Sequence, residues 1–365
     1  YMTFSSQVFV PGLEIWHSTD LVNWKPIGSA LNDYAGRIWA PDFIEHKGTY
    51  YIYFPVLGGG VRTMVVTAQS PEGPWSKPVD VGANGLIDPG HIVDEKGQRY
   101  LFFNEGFMMP LSDDGLRVIG EKKEVYEGWS YPEDWNVSCH CLEGPKLKKI
   151  GDYYYMLVAQ GGTGGVPTSH MVVAARSKSV HGPWENSPYN PIVRTYSRNE
   201  KWWSVGHGSL IDTPEGDWYV IYHGYLNGFR NLGRQTLMEP VRWTEDGWFS
   251  SVSEVDRAEP IRVDHEINPK IEQSFSDDFS TNRIGKQWQF FKGNYSDRCH
   301  FENQTLSIDA TGSKPSDCNL TFTSGDKAYE MEVEVAVEER SKAGLLLFYN
   351  ESRYLGISIS NDSIL

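Results

Sequence analysis

Short apolar and aromatic runs, broken by glycine-bearing turns, set the rhythm of this chain. Residues 50–54, 100–103, 153–158 and 218–222 are rich in aromatic and β-branched side chains, and turns such as His46-Lys47-Gly48 and Pro214-Glu215-Gly216 precede them. Windows with helical periodicity are nearly absent, so the pattern predicts an all-β chain. The runs also repeat. Each unit holds an aromatic-rich strand, a second strand such as residues 63–68 or 171–176, and a turn that ends in tryptophan. Three of these turns are plain: Ser18-Thr19-Asp20-Leu21-Val22-Asn23-Trp24, Ser70-Pro71-Glu72-Gly73-Pro74-Trp75 and Ser177-Lys178-Ser179-Val180-His181-Gly182-Pro183-Trp184. Repeats of roughly 50 to 65 residues, each one small sheet, are propeller blades in outline. Four clear units follow an imperfect first one, which predicts five blades.

The pattern changes after residue 262. We expect a β-propeller over residues 1–262, a linker over 263–274 and a partial, jelly-roll-like β-sandwich over 275–365. Ser276-Asp277-Asp278-Phe279-Ser280 opens the second domain, with strands expected around Trp288-Gln289-Phe290 and over residues 330–337 and 344–348. Only about half the strands of a sandwich are present.

Composition narrows the partners. A net charge of −15 with no Lys/Arg run argues against nucleic acid or an anionic membrane surface. No apolar run approaches the roughly 20 residues of a membrane span, and no signal peptide opens the chain. The 13 tryptophans and 20 tyrosines are first of all core fillers in a β fold, and only then platforms on which sugars stack. Among four cysteines, Cys139 and Cys141 lack the second pair that a zinc site needs, whereas Cys299 and Cys318 could face each other on neighbouring strands.

Three acidic residues interrupt strongly apolar strand contexts beside Pro or Gly. They are Asp42 in Trp39-Ala40-Pro41-Asp42-Phe43, Asp88 in Leu86-Ile87-Asp88-Pro89-Gly90 and Glu143 in Cys141-Leu142-Glu143-Gly144-Pro145. Each alone reads as a turn-forming or capping residue. Their recurrence in successive blades, at the strand start that faces a propeller's funnel, suggests converging carboxylates. Glycoside cleavage needs one carboxylic acid held protonated beside another held ionised, and crowding of like charges drives their proton affinities apart. His207, in Gly206-His207-Gly208, is either a core histidine or a site residue. Arg234, in Leu232-Gly233-Arg234-Gln235, is either a solvated edge cation or a group that braces a carboxylate or binds a substrate hydroxyl.

Together these motifs resemble glycoside hydrolase family 43, five-bladed propellers acting on arabinose- and xylose-containing polysaccharides. The resemblance runs from Phe9-Val10-Pro11-Gly12 through Arg37-Ile38-Trp39-Ala40-Pro41-Asp42, Ile87-Asp88-Pro89, Glu143-Gly144-Pro145 and Gly206-His207-Gly208 to Leu232-Gly233-Arg234-Gln235. It is similar to the xylosidase and arabinofuranosidase branch that carries a C-terminal sandwich. The resemblance implies that Glu143 is the general acid and that Asp88 tunes and orients it. It also implies that His207 lies on the propeller axis, where calcium is held through water, and that Arg234 reaches the active site. Trp39, Asp42, Phe9 and His170 match substrate-pocket positions. The general base of the family is an Asp in an Asp-Pro pair upstream of the segment that Tyr1 begins, so no residue of this chain fills that role. Asp20 and Asp33 are not substitutes, since the first belongs to a blade turn and the second to a polar connection.

The expected activity is exo-acting, inverting release of arabinofuranosyl or xylosyl units. Residues 126–135 and the Gly161–Thr168 segment would wall one end of the funnel. A β-galactan- or endo-arabinan-cleaving member, a sugar-binding propeller without turnover and a sialidase-like propeller are the alternatives. The last needs an arginine cluster and finds only Arg234 in a suitable setting. A secreted or periplasmic location follows from a polysaccharide substrate and from nothing else in the chain.

Overall fold

The computed structural model describes residues 1–251 and 276–364, so the linker expected over 263–274 and the boundary at 262 lie outside the described residues. The chain divides into two compact units. The first holds residues 1–7, 13–30 and the described residues 35–251, while the second holds residues 8–12, 31–34 and the described residues 276–364.

The first unit is five antiparallel sheets in chain order, the blades of a five-bladed propeller. Blade one has three strands, Met2–Thr3, Gly12–His17 and Lys25–Leu31. Blade two is built on Thr49–Leu57, with Asp42–His46 as its inner strand. Blade three runs from Gly90–Val93 through Arg99–Phe102 and Phe107–Leu111 to Lys123–Glu124. Blade four runs from Glu143–Ile150 through Tyr153–Gln160 to Met171–Ser177, and blade five from Trp202–Asp212 through Trp218–Leu226 to Arg234–Trp243.

Why the strands read as unbroken apolar runs is visible in blade four. Along Tyr153–Gln160, Tyr154, Met156 and Val158 pack with Tyr100, Phe102 and Met108 of blade three. The intervening Tyr155 and Leu157 pack with Val220, Tyr222 and Phe249 of blade five. Blades two and three meet in the same way through Tyr51, Tyr53, Leu101 and Phe103. A sheet covered on both faces has no polar face to alternate with, and each large side chain so buried contributes about 1.5–3 kcal/mol. Two of the repeated tryptophans close their own turns and the third packs into the core. Trp24 Nε1 donates to the Leu21 carbonyl at 2.9 Å and Trp75 Nε1 to that of Pro71 at 3.3 Å, while Trp184 sets its ring edge-on to Phe102 in the blade-three core.

The second unit is all-β as well. A three-stranded sheet of Phe9–Val10, Gln289–Phe291 and Leu320–Thr321 is joined by two hairpins, Cys299–Glu302 with Thr305–Ile308 and Ala343–Asn350 with Arg353–Ile359. The strand expected over residues 330–337 is not formed. Cys299 and Cys318 carry free thiols, and burial first, then the neighbouring Cys318, pushes the Cys299 thiol up to about 11. The disulfide of this chain instead joins Cys139 to Cys141, two residues before Glu143. Among the described residues no helix is long and apolar enough to cross a membrane.

Candidate active site

Asp88, Glu143 and His207 come from the inner edges of blades three, four and five, and their ligating atoms all lie within 4.8 Å of one another. Local backbone explains how three polar groups meet in an apolar funnel. Asp88 and His207 have φ of 56° and 59°, in the left-handed region. That conformation turns each side chain out of the ladder and is held only where the surroundings dictate it. Glu143 begins its strand just before a bulge, because its pairing with Ala159 is followed by a register shift to Lys146 opposite Leu157. The bulge contains Gly144, with φ of +60°, where a Cβ would lie 2.5 Å from His207 Nε2. Only glycine lets the imidazole come so close. Gly206 does the same for His170, whose Cδ2 would be 2.0 Å from an added Cβ.

The electrostatics separate the two acids. Desolvation raises Asp88, the charges of Lys146 and Arg234 and a hydrogen bond from the Gly144 N–H oppose it, and the carboxyl settles at about 6. Glu143 is raised by desolvation and then by the negative charge of Asp88, with only Arg234 opposing, and reaches about 7. Both carboxyls are raised by burial, and the Asp88 charge adds to the rise at Glu143, so the two protons leave in separate steps. An acid held beside an ionised partner is built in this way.

Behind the pair stand three imidazoles. His170 and His223 stack with ring centroids 5.4 Å apart, and His207 lies 5.8 Å from His223. Burial holds His170 down to about 3 and puts His207 and His223 well below the usual histidine range, so all three are neutral at pH 7. Both ring nitrogens of His170 and Nδ1 of His223 are buried without a hydrogen-bond partner among the described residues. Arg234 Nη1 stands 3.4 Å from His223 Nε2, and its charge is felt at Asp88, Glu143 and all three histidines.

Three further expected pocket residues have these surroundings. Asp42 is buried, but Oδ1 accepts from Lys146 Nζ at 2.8 Å and Oδ2 from the His91 N–H at 2.8 Å. Both of its oxygens thus bond groups carried by the neighbouring blades. Phe9 belongs to the second unit, where it pairs with Phe291 and meets that ring at 5.8 Å. Trp39 is partly exposed, next to blade two's inner strand, with its N–H on the Pro55 carbonyl. His223 and Lys146 were not anticipated. His223, in Ile221-Tyr222-His223-Gly224, is the same kind of polar interruption of an apolar strand that pointed to His207. Lys146 carries no motif that marks it in the sequence.

The His, Cys, Asp and Glu atoms gathered at His207 among the described residues are one imidazole nitrogen and two carboxylates. Calcium takes about six to eight oxygen ligands, so water would have to supply most of its shell here.

A propeller with a close, buried pair of carboxylates at its inner edges is the class that fold and site define. The chain belongs to glycosyl hydrolases family 43, whose description matches residues 1–249. It is 34% identical over 314 residues to the non-reducing end alpha-L-arabinofuranosidase BoGH43B of Bacteroides ovatus, covering 80% of this chain and 57% of that one. To the xylan 1,3-beta-xylosidase of a Vibrio species it is 30% identical over 324 residues, or 76% of this chain and 58% of that one. The chain thus spans a little over half the length of these curated relatives. The crystal structure of the GH43 protein BlXynB from Bacillus licheniformis superposes with a TM-score of 0.85 at 27% identity, over 99% of this chain and 75% of that one.

Proposed function

We propose that this chain is the catalytic part of an exo-acting, inverting glycoside hydrolase that releases arabinofuranosyl or xylosyl units from plant oligo- or polysaccharides. The observation that carries the reading is the buried pair: Glu143 and Asp88 bring carboxylate oxygens within 4.8 Å of each other, where burial and the Asp88 charge raise Glu143 above the ordinary carboxylate range. In this reading Glu143 gives its proton to the departing glycosidic oxygen as the bond to the anomeric carbon breaks. Water adds to the opposite face of that carbon and passes its proton to a second carboxylate, about 6.5–9.5 Å from the first. That base is the one role no residue of this sequence fills by motif. Asp88 holds the Glu143 proton in place by its charge. Arg234, Trp39 and His170 are proposed to bind the sugar, the unpartnered ring nitrogens of His170 being groups that water or a sugar hydroxyl would satisfy. The names of the relatives from Bacteroides ovatus and Vibrio support a pentoside, and a non-reducing-end mode in the first case. A substrate of this kind is met outside the cytoplasm, which supports a secreted or periplasmic setting.

The test is turnover of nitrophenyl α-L-arabinofuranoside, β-D-xyloside and β-D-galactoside, with the first-formed anomer followed by proton NMR. Hydrolysis of a pentoside with inversion is expected. A retained anomer overturns the mechanism, and failure of both pentosides overturns the substrate class.

A further inference from the structure

We infer that Lys146 is a positioning residue for the acid pair, fixing the corner from which Asp88 projects by tying the inner strands of blades two, three and four together at the axis. The inference rests on the reading of Glu143 as the acid. Lys146 lies three residues beyond Glu143 on the same strand, and the bulge between them points its side chain toward blades two and three. An ammonium has three protons to donate. All three are used here, on the Pro41 carbonyl at 3.0 Å, Asp42 Oδ1 at 2.8 Å and the Pro89 carbonyl at 2.9 Å.

These acceptors bracket Asp88. Pro89 follows it directly, and Asp42, clamped by Lys146, takes the N–H of His91 three residues on. A non-glycine residue with φ of 56° keeps that conformation only if its surroundings over-determine it, and Lys146 with Asp42 supplies that constraint. The Gly144 N–H holds the Asp88 carboxylate itself. Backbone and carboxylate of Asp88 are therefore both referenced to the strand that carries Glu143, so one element sets the spacing of the pair. The charged and titratable groups facing this corner are Asp42 from blade two, His91 from blade three, Glu143, His170 and Lys146 from blade four, and His207, His223 and Arg234 from blade five. Lys146 is the one among them that bonds the Asp88-Pro89 backbone. The ion pair with Asp42 is buried, with side-chain exposures of 15% and 9%, so solvent screens it little.

A residue that sets the acid acts on the departure of poor leaving groups, which need a proton, and hardly on good ones, which do not. The experiment measures kcat and KM for a series of aryl glycosides of the sugar that the wild type cleaves, from phenol to dinitrophenol. The enzymes are the wild type, Lys146→Met, Lys146→Met/Asp42→Asn and Glu143→Gln. The double variant leaves no stranded carboxylate and carries the test if Lys146→Met does not fold. We expect a fall in kcat of about 10- to 100-fold for the phenyl glycoside and under about threefold for the dinitrophenyl one, with KM unchanged. Equal loss across the series, or none in the folded double variant, overturns the inference. If Glu143→Gln shows no dependence on the leaving group, the acid assignment itself fails. If it does and the lysine variants do not, only the role of Lys146 falls.

Discussion

Replacing Asp88 with Asn keeps its size and removes its charge, which isolates what that charge does to Glu143. The carboxyls lie within 4.8 Å of each other. Coulomb attraction between the Asp88 charge and the Glu143 proton at that distance is worth about 3.5 kcal/mol at an effective dielectric of 20, or roughly 2.5 pH units. Desolvation contributes more than the Asp88 charge to the rise of Glu143 from 4.5 to about 7, so this Coulomb figure is an upper bound on the share of Asp88. Since Glu143 must be protonated to act, activity falls on the basic side as pH passes its proton affinity. In Asp88→Asn that limb of the kcat/KM profile should move down, by at most about 2.5 pH units, read on a phenyl glycoside, where protonation limits the rate. An unmoved basic limb, or one displaced upward, refutes the coupling.

The same burial carries a stability cost. Glu143 titrates higher in the folded chain than in the unfolded one, so the cost is absent below 4.5 and complete above about 7. Glu143→Gln should then raise stability at pH 8 by about 2–3 kcal/mol and leave it unchanged at pH 4, measured by urea denaturation at both values. Gly206→Ala should lower the melting temperature and impair turnover together, because its Cβ would lie 2.0 Å from the His170 ring and the cost is about 2 kcal/mol or more. A melting curve within a degree of the wild type would contradict that packing. Arg234→Gln should raise KM and shift the acid pair upward, since its charge opposes the rise of both Asp88 and Glu143. A pH profile superposable on the wild type would show that the guanidinium does not reach the pair.

How much of this was legible beforehand follows from what each residue's role depends on. The blades could be read because their strands, buried on both faces, give continuous apolar runs at a regular spacing. Asp88 and Glu143 stood out because carboxylates recur at the same strand start of successive blades, which a turn or cap at any one of them does not explain. Asp42 looked identical in sequence, yet its role is set by Lys146, 104 residues away, and no local pattern encodes that partner. Lys146 itself was hidden by the bulge after Glu143, since a one-residue slip exchanges the two faces of a strand. The alternation over residues 330–337 suggested a strand that is not formed, because alternation shows a preference and pairing needs a neighbour. The Cys139–Cys141 bridge was missed because the spacing was weighed only as metal ligation.

The central claim is that Glu143 delivers the proton to the leaving oxygen. The most direct measurement is the turnover of Glu143→Gln on a phenyl pentoside that the intact enzyme cleaves. The account predicts a loss of about 10²–10⁴-fold in kcat with the fold unchanged. Undiminished turnover would contradict it.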